Sequence, residues 1–204
     1  MKSTARHRVK DWIRVYEDAL DESFCAGVIG LFDRMPAKGA FDADWRRCVE
    51  YPAFDQTIYW QPFRDRIAGL LNRYRQESKS DGMNAVTQIE SPNVFRYDAA
   101  PDKPNHFSRH ADGWSADSAT RQVSVIAYLN DVDEGGETEF SDQDLRVAPR
   151  RGSVLMFPSS FLFMHAGLPP ISGPKYVIVT WLHFGGPTAY RSSPLFSPPD
   201  EDSR

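Results

Sequence analysis

Two hydrophobic periods divide the chain. Ile13 and Val15 alternate with Arg14 and Tyr16 as in a short strand. Asp21 or Ser23 then offers a helix cap, and Phe24, Cys25, Val28, Ile29, Leu31 and Phe32 recur at helical spacing until Pro36. Residues 38–52, rich in Asp, Arg and aromatics, keep no period and read as a loop, either over a site or as a connector. A second helix is predicted over 61–77, with Pro62 in its first turn and Phe63, Ile67, Leu70, Leu71 and Tyr74 forming an apolar stripe. Past Ser80-Asp81-Gly82 the period becomes two. Runs at 86–97, 107–110, 122–130, 138–140, 145–148, 153–157, 161–166 and 176–184 are separated by turn residues such as those of 131–136 and 167–174.

About eight short strands at this spacing predict a jelly roll or a closed barrel. The two helices are its cover, since a strand-rich segment needs one. The expected fold is therefore mainly β with helical support, an α+β arrangement in one domain spanning 1–184. Within it, 1–82 supply the helices and 86–184 the β core. From Gly185 onward Pro, Ser, Asp and Glu dominate, which predicts a solvated, flexible tail over 185–204.

Composition narrows the function classes. With 41% hydrophobic and 25% charged residues, the 204-residue chain has the makings of one substantial core. A net charge of -4 makes no electrostatic case for nucleic acid. Cys25 and Cys48 are too few for a disulfide framework, so a reduced, cytoplasmic setting is expected. The basic start runs into Asp11 and Trp12 without the apolar stretch of a secretory signal. The uncharged run 152–174 is broken by Pro158, His165 and Pro169-Pro170, so no membrane helix is expected.

The chemistry gathers at His110, Asp112 and His165. Taken alone, His110 and Asp112 also describe a strand-end histidine bonded to a turn aspartate. His165, arriving from a later strand, completes two imidazoles and a carboxylate, the ligand set of a non-haem iron(II) site with open positions. Lys175 follows ten positions later, and strand alternation sets Lys175, Val177, Val179 and Trp181 on one face.

His110-Ala111-Asp112, Tyr128-Leu129-Asn130, Gly135-Gly136-Glu137-Thr138, His165 and Lys175-Tyr176 through Trp181 together resemble the prolyl 4-hydroxylase branch of the iron(II)/2-oxoglutarate-dependent dioxygenases. The resemblance covers roughly 86–184 and implies a double-stranded β-helix, or jelly roll, packed against N-terminal helices. It implies Fe(II) at His110, Asp112 and His165, and 2-oxoglutarate as cosubstrate, with ascorbate as a further candidate. Lys175 would pair with the distal carboxylate, Tyr128 would support it, and Tyr97 and Phe107 match aromatic positions on the strands leading to the metal motif. Trp181 would wall the pocket.

Residues 98–106, with Pro101 and Pro104, depart from the short glycine turn of relatives. Because Asp112 is present, hydroxylation is implied rather than halogenation. The substrate would be a peptidyl proline, an amino acid or another small molecule, with 38–52, 98–105 and 114–120 bordering the mouth. Rival readings are a silent metal- or 2-oxoglutarate-binding module and a cupin-like metalloprotein with another reaction. His106 and His183 read as surface or structural residues; Arg109 and Arg121 could address an anionic substrate group but read better as strand-end charges.

Overall fold

A computed structural model of the chain describes residues 8–51, 54–79, 81–184 and 192–195. A short 3-10 turn, Val9–Trp12, leads into β1 (Arg14–Tyr16), followed by helix α1 (Glu22–Phe32). Asp21 caps α1, its carboxylate accepting from the Phe24 amide at 2.7 Å, which satisfies one of the orphan N–H groups of the first turn. A hairpin of β2 (Gly39–Ala43) and β3 (Arg46–Tyr51) comes next, then α2 (Trp60–Ser78). The remaining strands are β4 (Val86–Glu90), β5 (Asn93–Tyr97), β6 (His106–His110), β7 (Arg121–Tyr128), β8 (Thr138–Phe140), β9 (Leu145–Val147), β10 (Val154–Pro158), β11 (His165–Gly167), β12 (Lys175–Phe184) and β13 (Ser192–Pro194).

Every pairing is antiparallel, in the order β1-β10-β7-β12-β5-β3-β6-β11-β8-β9, with β4 beside β12, β2 beside β3 and β13 beside β4. The sheet folds back on itself as a jelly roll. The period of two decides what lies on each side. From β7, β10 and β12, Val123, Val125, Val154, Met156, Ile178 and Leu182 face outward, where the stripes of α1 and α2 cover them in one core cluster. The alternate residues, including Ile126, Tyr128, Leu155, Phe157, Val177 and Val179, face the interior of the roll in a second cluster. Each large apolar side chain so buried contributes about 1.5–3 kcal/mol.

Three expectations are corrected. Within the expected loop 38–52, residues 39–51 are a hairpin, and residue 52 lies outside the described residues. Arg47 and Asp42 bond across it at 2.8 Å and Lys38 and Glu50 at 3.3 Å, so charged cross-strand pairs replace the apolar alternation that would have announced strands. The single run 86–97 is two strands, broken at Ser91-Pro92 because proline has no N–H for the ladder. In 161–166 a 3-10 turn, Phe161–Phe163, precedes β11, with Phe161 and Leu162 exposed. Within the expected tail, β13 pairs with β4 and Leu195 is buried; the rest of 185–204 lies outside the described residues. Among the described residues no helix is long and apolar enough to cross a membrane.

Candidate active site

The interior of the roll opens as a cavity of about 260 Å³ whose wall includes residues from β3, β5, β6, β7, β8, β11 and β12. His110 ends β6 and His165 opens β11, and the two are direct partners across that ladder. Asp112 sits in the turn after β6, which is held down where the Gly113 amide donates to the Ser159 carbonyl at 2.8 Å. A Cβ on residue 113 would come to 3.1 Å from that carbonyl oxygen, so glycine permits the approach. The three side chains bring ligand atoms within 4.8 Å of one another.

Both imidazoles are oriented by the backbone. His110 Nδ1 lies 2.8 Å from the Ser108 carbonyl and His165 Nδ1 3.1 Å from that of Phe163. A carbonyl can only accept, so the proton sits on Nδ1 and the Nε2 lone pairs are free to coordinate. These Nε2 atoms lie 3.5 and 3.6 Å from the two oxygens of Asp112. Burial pushes His165 down to about 4, with the nearby His110 acting the same way against the pull of Asp112, so this imidazole is neutral at neutral pH, as a ligand must be.

Burial by itself would raise Asp112. The two histidines and a 2.5 Å hydrogen bond from Ser124 Oγ outweigh it and hold the carboxyl well below the usual range. Ser124 Oγ is in turn 2.9 Å from Ser159 Oγ, a second layer of support. The donor set therefore fits a divalent metal: one carboxylate and two imidazoles, each with Nε2 turned away from its backbone anchor.

Lys175 is almost fully buried on β12, opposite Tyr97 of β5. Its ammonium donates to the Gly136 carbonyl at 2.8 Å and lies 4.6 Å from the centre of the Tyr97 ring. Burial lowers its pKa to about 8, partly offset by Glu137. Tyr128 is fully buried, its hydroxyl 2.6 Å from Thr138 Oγ1. Trp181 lines the same cavity, and its buried indole Nε1 has no hydrogen-bond partner among the described residues. All seven residues expected at the site line this one cavity.

Part of the chain, 92–183, matches the family model of the 2OG-Fe(II) oxygenase superfamily. Over this stretch the chain is similar to that superfamily, and the relatives it matches include prolyl 4-hydroxylases. Members of the superfamily require Fe(II) and 2-oxoglutarate. The probable prolyl 4-hydroxylase 9 of Arabidopsis thaliana is 29% identical over 116 residues, covering 46% of this chain and 40% of the relative. The chain thus spans well under half the length of that curated relative. Among solved structures, the viral collagen prolyl hydroxylase of Paramecium Bursaria Chlorella virus-1, in complex with 2OG, superposes with a TM-score of 0.66 at 21% identity, covering 85% of this chain and 97% of the other. The non-heme alpha ketoglutarate dependent epimerase SnoN from nogalamycin biosynthesis reaches 0.65 at 13%, covering 89% and 82%, so the fold is shared between reactions.

The structure also adds residues to the candidate cavity. Thr138, quoted from sequence only as part of a motif, partners Tyr128. Arg121, read as a strand-end charge, faces the cavity with its guanidinium carbon 3.5 Å from the centre of the Trp181 ring, and is bound by Glu90 at 2.9 and 2.6 Å. Arg109 pairs with Asp142 on the surface. Phe107 stacks on His110 at 3.7 Å. His183 is fully buried between Glu90 and Thr120, at 2.9 Å from each. Arg46 was missed because 38–52 showed no period. Of the expected mouth segments, 38–52 contributes Arg46 and 114–120 contributes Trp114, while no described residue of 98–105 lines the cavity.

Proposed function

We propose that this chain is a hydroxylase acting on an unactivated C–H bond of a prolyl peptide or an amino-acid-like substrate. The observation that carries the reading is one cavity holding both the buried donor set of His110, Asp112 and His165 and the buried ammonium of Lys175. When bound, Fe(II), 2-oxoglutarate and oxygen supply the oxidation, in which 2-oxoglutarate becomes succinate and CO2 and one oxygen atom enters the substrate.

The protein's own contribution is positional. His110, Asp112 and His165 would hold the metal, and the Ser124-Ser159 pair fixes Asp112 so that its carboxylate cannot swing away. Lys175 would meet the distal carboxylate of 2-oxoglutarate; an anion there returns the charge that burial works against. Tyr128 can turn its hydroxyl hydrogen from Thr138 to the same carboxylate, and the Tyr97 ring closes the floor beside the ammonium. Val177, Val179 and Ile126 keep water from the reacting centre. Asp112 in the ligand set supports hydroxylation over halogenation. Cys25 and Cys48, both free and buried, support a reducing cytoplasmic setting.

The test is succinate formation with Fe(II), 2-oxoglutarate and ascorbate, in the presence of prolyl peptides and free amino acids, with mass spectrometry of the products. The reading predicts substrate-dependent succinate and a product heavier by one oxygen atom. Absence of turnover across the panel, or turnover that persists in His165→Ala, would contradict it.

A further inference from the structure

The cavity wall carries three cations, and two of them have an anion assigned. Glu90 answers Arg121 with both oxygens. On the reading above, the distal carboxylate of 2-oxoglutarate answers Lys175. The third cation is Arg46, on β3.

Its guanidinium carbon lies 4.2 Å from the centre of the Phe41 ring, 4.3 Å from Phe95 and 4.6 Å from Phe107, so three rings fix its position. Phe107 in turn stacks on the His110 imidazole, so a single ring separates this cation from a candidate metal ligand. Arg46 Nε is buried with no hydrogen-bond partner. The guanidinium touches the Tyr97 hydroxyl and the Cys48 thiol, and burial keeps both of those groups neutral. Among the described residues no carboxylate pairs with it.

A guanidinium is always charged and carries five donors in a rigid fork that matches a carboxylate. Such a group beside an apolar cavity, held in place yet without a counter-charge, is poised for an anion that enters the cavity. Surface arginines of this chain show the contrast: Arg47, Arg109, Arg146 and Arg151 each have an acidic partner within the protein.

We propose that Arg46 binds a carboxylate of the substrate, so that the preferred substrate carries a free carboxylate near the carbon that is oxidised. This rests on the cavity being a 2-oxoglutarate-dependent site. Two sources share the chemistry, a free amino acid and the C-terminal residue of a peptide. Both differ from an internal prolyl residue, whose carbonyl is an uncharged amide.

The test is a binding titration without oxygen. Protein loaded with Mn(II) and 2-oxoglutarate is titrated with free amino acids, L-proline among them, and with the amide of each. Acetylated peptides ending in the same residues, as acids and as amides, form the second arm. At least one acid is expected to bind more tightly than its amide by about tenfold or more. The arm in which that acid falls identifies the source.

Arg46→Gln should bring the acid down to the level of the amide, and Arg46→Lys, which keeps the charge, should retain part of the preference. If no acid binds the wild type more tightly than its amide, the proposal is overturned without recourse to any variant. A preference that survives Arg46→Gln overturns it too, as does an Arg46→Gln affinity for 2-oxoglutarate that falls as far as that of Lys175→Ala. An intact, Arg46-dependent preference in a protein that forms no succinate would support Arg46 and count against the hydroxylase reading alone.

Discussion

Replacing Lys175 with methionine should make the protein more stable while removing its grip on 2-oxoglutarate. Lys175 is 3% exposed, and burial lowers its pKa from 10.5 to about 8. A lysine whose folded-state pKa is depressed binds protons less readily when folded, so the unfolded chain holds more protons between these two values and stability rises with pH across that window. At pH 7 the charge costs the folded state about 3 kcal/mol, at about 1.4 kcal/mol per pH unit. Methionine has a similar length and no charge, but it leaves the Gly136 carbonyl without the donor now 2.8 Å away, at a cost of about 1 kcal/mol. The net gain expected at pH 7 without ligand is about 2 kcal/mol. Urea unfolding of wild type and Lys175→Met at several pH values measures it. The gap should shrink above pH 8 and close or reverse as the pH approaches 10.5. A variant less stable than wild type at pH 7, or a gap that ignores pH, would refute the reasoning.

Glu90→Gln should destabilise the protein by about 3–5 kcal/mol, because Arg121 and His183 lose the carboxylate that binds both, and urea unfolding will show it. Burial opposes ionisation of Glu90, but His183 and Arg121 hold its pKa below 4.5. Its contribution is therefore complete above that value and is lost as acid protonates it, so the gap between Glu90→Gln and wild type should narrow in acid. Gly152 has φ +78° and a Cβ there would strike the Leu20 carbonyl; Gly152→Ala should lower stability by at least about 2 kcal/mol in the same assay. Tyr128→Phe keeps the ring and drops the hydroxyl bonded to Thr138, so the apparent affinity for 2-oxoglutarate should fall about tenfold in an anaerobic titration, with the metal affinity unchanged.

The parts of this molecule most legible from sequence are those where one face is apolar and the other is not. Phe63, Ile67, Leu71 and Tyr74 announce α2, and the alternation of Lys175, Val177, Val179 and Trp181 with Tyr176, Ile178 and Leu182 places β12 between two differently filled layers. The candidate ligands were legible for the same reason, since His110 and His165 sit at strand ends and Asp112 in a glycine turn. The β2-β3 hairpin was not, because charged pairs such as Arg47 and Asp42 stabilise it on its wet face and its inward residues are as unlike as Arg46 and Cys48. That concealed Arg46. Arg121 was visible as a residue but not as part of the cavity: its partner Glu90 is 31 positions away, a contact that only the fold creates.

Equilibrium binding of 2-oxoglutarate to the Fe(II)-loaded protein without oxygen tests the central claim most directly. The account predicts one 2-oxoglutarate per chain, dependent on the metal, abolished in Asp112→Ala with the metal itself, and weakened about thirtyfold in Lys175→Ala while the metal stays bound. Equal affinity with and without metal, or unchanged affinity in Lys175→Ala, would contradict it.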